Sequence, residues 1–505
     1  MIQHLASLPI LLPMLTAVIL LLPPCGKSVK IRRIVSSVMA IITFVVSALL
    51  LMHVHHTGIN VYAIGNWSAP FGIVLVADML STLLVALTSF LGLGAILYGS
   101  AGDDEKGSFF HPLVHFLVLG VNGAFLTGDL FNLFVFFEVL LIASYALLMH
   151  AGDKQNTRAA LQYVILNLVG SSVFLIGLGI LYGVLGTLNI ADMAHKVSLL
   201  TGDDVYLAKA GGLLLLVVFA LKGALLPLHL WLPNTYASAK PVVAALFAIM
   251  TKVGVYAMLR VYTVVFGEQA GALEHVAQPW LWGLAIATII VGAIGVIASQ
   301  DLRKLTANLV LVSVGTLVAL VALQNVNATA ALLYYLVHST LVCAALFLLA
   351  DLIATQRGKV ADRLVAGRSV KQPFLLGVCF IIAALTVVGM PPLSGFVGKI
   401  WILKATLNSE QALLFWPVYL VTSFALLIAL SRAGTSLFWE CKDKRSESAE
   451  YKNARSLQVI VIIGLLACSP LMVIFGGPIS EYMMAAATQL HDINGGINAV
   501  LKGGM

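Results

Sequence analysis

The sequence predicts an all-α protein that crosses a membrane about fourteen times. Three observations carry this. Hydrophobic residues fill 60% of the 505 positions against 10% charged, with a mean hydropathy of +1.01, a balance that a soluble domain with a polar exterior does not reach. Apolar windows of about 18 to 28 residues, each enough for ~30 Å of helix, recur along the whole chain. Lysine and arginine fall almost entirely in alternate connections, as they do when every second loop stays in the cytoplasm.

Taken in order, the first apolar run (Leu5 to Leu22) follows MIQHLAS, which has neither a basic segment nor a small-residue cleavage site, and is read as a retained span. Further windows start near residues 33, 72, 111, 129, 160, 208, 240, 278, 303, 328, 373, 411 and 456. Between them, GTLNIADMAHKVSLLTGDD is expected to form a short amphipathic helix on the outer surface, and WECKDKRSESAEYKNAR a solvated cytoplasmic loop. Twenty of the 29 Lys and Arg residues lie in odd-numbered loops, three in even loops and tails, and six within spans. That split puts both termini on the outer, periplasmic side of a bacterial inner membrane. It also explains the net charge of +7 and pI of 9.1 as topology, so no nucleic-acid partner is implied. Five scattered cysteines (Cys25, Cys343, Cys379, Cys441, Cys468) give neither a disulfide framework nor a metal site. No Walker A or G-x-G-x-x-G pattern occurs, which disfavours an ATPase or a self-contained redox enzyme; no cofactor is expected.

The chemistry-bearing residues are the ionisable ones inside the spans. Glu138 is the ninth residue of Leu130 to Met149; Lys222 and Lys252 lie near mid-depth of Ala210 to Trp231 and Pro241 to Tyr262. A lone carboxylate in hydrocarbon costs several kcal/mol or takes up a proton. A carboxylate facing a lysine holds both charged, so filling or emptying one changes the proton affinity of the other. That coupling suits a proton pump. Glu138 is expected to face a lysine in this way. The duller reading, a structural ion pair locking helices, is the less common role for intramembrane charges. Asp78 has no evident partner and fits helix packing or a subunit contact equally well; Lys404 and Arg260, near span ends, are expected to snorkel to the interface.

Two spans carry backbone breaks. LKGALLPLHLWLP places Gly223 and Pro227 after Lys222, and VVGMPPLSGFVGKIWILK places Gly389, Pro391 and Pro392 before Lys399. A mid-helix proline frees a carbonyl that lipid cannot satisfy, so such breaks are expected at hydrated cavities, although prolines also simply kink helices. His229, beside the first break, suits capping of freed backbone at least as well as proton relay. The breaks fall in spans seven and twelve, five apart, and consecutive five-helix units must be inverted because five is odd. Spans 4–8 and 9–13 therefore read as an inverted repeat with discontinuous helices 7 and 12. The expected organisation is residues 1–110 for helices 1–3, 111–266 for the first repeat, 267–440 for the second, and 441–505 for a cytoplasmic loop and helix 14.

The segments GDLFNLFVFFEVLLIASYAL, LKGALLPLHLWLPNTYASAKPVVAAL, MTKVGVYAMLR, LYYLVHSTLVCAALFLLAD and GMPPLSGFVGK together resemble the antiporter-like subunits shared by respiratory complex I and the Mrp-type monovalent cation/proton antiporters. The likeness covers nearly the whole chain and is nearest to the D-type subunits of the Mrp antiporters. It implies a fourteen-helix core, a buried proton path in which Glu138, Lys222, Lys252, His338 and Lys399 match the family's positions, and no redox cofactor. Implied partners are the other Mrp subunits (A, B, C, E, F and G), a monovalent cation such as Na+, and protons. The alternative that it implies is a proton-pumping subunit of a complex I or membrane-bound hydrogenase type oxidoreductase. His338 also suits a hydrogen-bonded core histidine. Many relatives have a lysine five residues after that histidine; here Cys343 stands there, so the step from Lys252 to Lys399 is expected to use His338, Ser339, Thr340 and water.

Overall fold

The computed structural model describes residues 4–150, 154–443 and 453–502; residues 444–452 of the expected cytoplasmic loop lie outside them. The chain is mostly helical. In order, the helices are α1 (Leu8–Leu21), α2 (Val29–Thr57), α3 (Met79–Gly99), α4 (Phe110–Leu126), α5 (Leu130–Met149), α6 (Lys154–Leu185), α7 (Ile190–Val197), α8 (Asp203–Gly223), α9 (Trp231–Ser238) and α10 (Pro241–Val264). There follow α11 (Gln278–Ala298), α12 (Leu302–Ala322), α13 (Val326–Arg357), α14 (Pro373–Val388), α15 (Ser394–Thr406), α16 (Ala412–Gly434), α17 (Ser456–Ile474), α18 (Gly476–His491) and α19 (Ile493–Lys502). A small antiparallel ribbon, β1 (Asn60–Ala63) with β2 (Val74–Ala77), precedes α3.

Among the described residues, eleven helices are long and apolar enough to cross a membrane. Three of the expected windows fold instead as shorter apolar helices: α1, α4 and α14, of 14, 17 and 16 residues. Each stops for a local reason. Pro23 and Pro24 follow α1, the Thr127–Gly128 turn pairs with β2 after α4, and Gly389 in the left-handed region (φ +84°) ends α14. The window expected near residue 72 begins as strand, and its helix starts at Met79 because Asp78 caps it: the carboxylate accepts from the Ser81 N–H at 2.8 Å while the Ser81 hydroxyl accepts from the Asp78 N–H at 2.9 Å. The last window continues past Ile474 into α18 and α19.

Helices α10 and α12 are enclosed on every side, and α13 nearly so. Helices α2, α6 and α16 leave apolar faces exposed, with Ile34, Ile142 on neighbouring α5, and Val421 more than 60% accessible. Apolar residues all round a helix mark an interior position, and an apolar exterior suits lipid or other membrane subunits. Close backbone contact holds the centre together: a Cβ at Gly254 of α10 would meet the Gly223 nitrogen at 2.5 Å and the Lys222 carbonyl carbon at 2.9 Å. Gly254→Val is expected to push α8 from α10 and destabilise the fold by about 1–3 kcal/mol, lowering the melting temperature of the assembled protein; an unchanged melting temperature would contradict this packing.

At the end of the bundle that carries the basic loops, Asp104 is fully buried between Arg33 (2.7 and 2.6 Å) and His111 (3.1 Å). Burial pushes its carboxyl up, but the bonds from Arg33 and His111 outweigh this and hold it below the ordinary carboxylate range. A depressed folded-state value contributes stability that is complete above the unfolded value near pH 4 and vanishes as pH falls through the folded one. Asp104→Asn is therefore expected to lower stability at neutral pH and to flatten its decline below about pH 4, as read by thermal unfolding across a pH series.

Candidate functional site

Lys222 sits at the C-terminal end of α8, and the chain leaves the helix at Ala224, which is left-handed (φ 58°). Residues 224–230 form turns before α9 begins. The freed backbone groups are met by side chains. Leu221 O accepts from the Trp231 indole at 3.1 Å, and Leu226 N donates to Thr288 Oγ1 at 3.0 Å. The Lys222 ammonium, 6% exposed, donates to Asn167 Oδ1 at 2.9 Å and lies 5.8 Å from the Phe137 ring centre.

Glu138 follows Phe137 on α5, but its carboxylate does not reach the lysine. Among the described residues Glu138 and Lys222 form no salt bridge; Glu138 Oε1 accepts from the Ser171 hydroxyl instead. Ser171 and Asn167 stand one turn apart on α6, which packs against both α5 and α8. This corrects the expectation of direct pairing. Helix α6 lies between the two charges and offers each a neutral partner, Ser171 for the acid and Asn167 for the amine.

Lys252, fully buried on α10, donates to Ser313 Oγ of α12 at 3.4 Å, and Ser313 donates to Ser339 Oγ of α13 at 2.8 Å. Thr340 turns back to Leu336 O at 2.7 Å and takes no part in this run of bonds. Cys343, buried one turn beyond Ser339, is close enough to Lys252 for the two to act on each other electrostatically. His338 adjoins Ser339 in sequence and bonds the other way: its Nδ1 pairs with Ser394 Oγ at 2.9 Å, and Ser394 with Ser469 Oγ of α17 at 2.9 Å. Helix α13 thus presents Ser339 to the Lys252 side and His338 to the second break.

At that break, Leu385 O accepts from both Gly389 N and Met390 N at 3.0 Å. The Lys399 ammonium reaches back across the break to donate to Val388 O at 2.7 Å, and to Ser423 Oγ of α16 at 2.9 Å. An unsatisfied carbonyl and a buried cation solve each other's problem here. Pro391 and Pro392 lie in the turn between α14 and α15, and Gly395 is required, since a Cβ there would collide with Thr386 O.

The remaining expected residues lie elsewhere. His229 is partly buried, and its Nδ1 has no hydrogen-bond partner among the described residues, so it caps no freed carbonyl. Lys404 is exposed at a cleft of about 850 Å³ lined also by Tyr334, Trp401 and Asn408. Asp78 is paired after all, with Arg260 Nη1 at 2.5 Å. Arg260 accordingly does not snorkel: its side chain is 12% exposed, because α10 is enclosed and offers it no interface to reach. Sequence reasoning missed Asn167, Ser171, Ser313, Ser394, Ser423 and Ser469. Asn167, a lone amide in the apolar YVILNLVG, was the one with a signal; serines at helical spacing are too common to stand out.

A half-buried glutamate, three lysines and a histidine, each held by a neutral oxygen or hydroxyl within apolar helices, define a polytopic membrane protein with ionisable groups inside its helix bundle. Residues 127–426 match the family model for the membrane subunits of NADH:quinone oxidoreductase and Mrp antiporters, and the chain belongs to that family. It is 38% identical to the D subunit of a "Probable K(+)/H(+) antiporter" of Rhizobium meliloti (strain 1021), over 97% of this chain and 96% of that one. It is likewise 38% identical to the D subunit of a Na(+)/H(+) antiporter of Bacillus subtilis (strain 168), over 98% and 99%. A chain in the structure of the Mrp complex from Dietzia sp. DQ12-45-1b superposes with a TM-score of 0.87 at 27% identity, covering 99% of both. A chain of Thermus thermophilus respiratory complex I shares the fold, with a TM-score of 0.77 at 23% identity over 96% of this chain.

Asn167→Leu strands the Lys222 ammonium without its acceptor, at a cost of about 1–3 kcal/mol. It is expected to damage ion exchange by membranes carrying the assembled complex more than Ser171→Ala does, since a carboxylate that loses one hydroxyl remains partly hydrated. Equal, near-normal exchange by both variants would remove α6 from the site.

Proposed function

We propose that this chain is the proton-translocating subunit of a multisubunit monovalent cation/proton antiporter, with Na+ as the cation, working in the cytoplasmic membrane of a bacterium beside the other Mrp subunits, A, B, C, E, F and G. It is a transporter subunit and not an enzyme, and its mechanism calls on no cofactor. The observation that carries the reading is the placement of Lys222 and Lys252, both buried, and Lys399, half-buried, each bonded to a neutral oxygen that leaves its proton transferable. Near-complete coverage of D-type relatives supports the antiporter reading over the oxidoreductase alternative.

In this mechanism a proton reaches Lys222 at the first break, passes to Lys252, crosses α13 by way of Ser313, Ser339 and His338 with water completing the steps, and leaves through Lys399 at the second break. Each ammonium that gives up its proton becomes a neutral amine ready to be filled again. Glu138 tunes the entry. At about 4 Å and an effective dielectric near 20, a carboxylate and an ammonium attract by roughly 4 kcal/mol; with Ser171 and Asn167 between them the attraction is weaker. A movement of α6 that closes or opens this gap switches Lys222 between holding and releasing its proton. This reading takes the chain as fourteen spans with both termini outside, α8 with α9 forming discontinuous span seven, α14 with α15 forming span twelve, and spans 4–8 and 9–13 related as inverted repeats over residues 111–266 and 267–440.

Glu138→Ala and Lys222→Ala are each expected to abolish cation-dependent proton exchange in inside-out vesicles bearing the whole complex, with assembly intact by co-purification. Normal exchange by either assembled variant would sink the proposed path.

A further inference from the structure

Helix α10 carries more than Lys252. Lys252, Tyr256 and Arg260 follow one another at four-residue steps, so they share one face and climb about 6 Å per step, away from the basic loop that holds Lys240. Their polar ends are linked at the far end. Arg260 Nε donates to the Tyr256 hydroxyl at 3.3 Å, Tyr256 donates to Phe125 O at 2.8 Å, and Arg260 Nη1 grips Asp78 at 2.5 Å. Beyond Asp78 opens a cavity of about 60 Å³, lined by Asp78, Thr127, Arg260, Gln489 and Asp492 and reaching the surface at exposed Asp492. A few waters fit such a volume. Tyr256, Arg260 and Asp78 thus form a bonded run that begins one helical turn from Lys252 and ends at the cavity, on a route the exchange mechanism does not use.

We infer that the Asp78–Arg260 pair is a barrier that keeps protons from leaking between this cavity and Lys252. The inference rests on the reading of Lys252 as a member of the proton path. A proton relay needs each member to accept a proton on one side and give one up on the other. Asp78 and Tyr256 are able to do both; Arg260, which stands between them, is not, because a guanidinium has five donors, no acceptor and a permanent charge. Asp78 holds the guanidinium in place and offsets its charge, so the barrier is the missing acceptor rather than repulsion, and it persists inside an enclosed helix bundle. The pair is a positioning device rather than a transfer site.

The test uses vesicles bearing the whole complex, with passive proton entry scored in the absence of Na+, so that it is separate from exchange and from the Lys222 and Glu138 variants. Asp78→Asn combined with Arg260→Ser removes both charges together and leaves room for water; proton leak is expected to rise about tenfold or more, a barrier change of ~1.4 kcal/mol. Arg260→Lys, which puts an amine able to give up and regain its proton where the guanidinium cannot, is expected to leak more than the wild type and less than the double variant. A tight double variant, or an Arg260→Lys variant as tight as the wild type, overturns the inference.

Discussion

An ammonium group inside an apolar helix bundle must find an oxygen, and nearly everything else in this protein follows from how that need is met. Among the described residues no carboxylate pairs with Lys222 or Lys252, both buried, or with half-buried Lys399. Their partners are an amide oxygen, a serine hydroxyl and a main-chain carbonyl. Neutral acceptors stabilise the charged amine less than a carboxylate does, so the proton stays transferable rather than locked in an ion pair. Full ion pairs occur in the same bundle, at Arg33–Asp104 and Asp78–Arg260, toward the helix ends. Paired charge thus joins helices toward their ends, while these three amines keep neutral partners.

The helix breaks serve the same requirement from the other direction. Interrupting a helix in hydrocarbon frees backbone groups that must be satisfied, and at each break the satisfying groups come from neighbouring elements: Trp231 and Thr288 at the first, Lys399 itself at the second. Lys399 is therefore at once the cap of α14 and a charged member of the site. Glycine makes the geometry possible at the crowded points, with Gly254 letting α10 approach the end of α8 and Gly395 clearing Thr386. Removal of either would displace a lysine without touching its chemistry.

Helix α13 divides the two halves. Ser339 and His338 are adjacent in sequence and bond to opposite sides, toward Ser313 and toward Ser394. The four-residue step from Ser339 to Cys343 puts a small, soft, buried side chain one turn further along α13, and Ser313 and Ser339 supply the polar contacts toward Lys252. Further along α10, Arg260 bonds to Tyr256 and pairs with Asp78, so the same helix bears an amine with a neutral partner and, toward its far end, a full ion pair.

How much of this was legible in the chain follows from the range of the forces involved. Hydrophobic windows, prolines and glycines act over a few residues, so the helical membrane class, the positions of the breaks and the identity of the buried ionisable residues could be read directly from LKGALLPLHLWLP, GMPPLSGFVGK and the lone Glu138. Pairing between helices could not. Whether Glu138 touches Lys222 depends on α6 lying between them, and whether Arg260 reaches an interface or Asp78 depends on α10 being enclosed; neither has a local signature. The sequence by itself determined which side chains would be stranded in oil and where the backbone would open. Only the tertiary structure decided which oxygen each would find, because in a membrane interior the partner of a charge is set by the order in which helices pack.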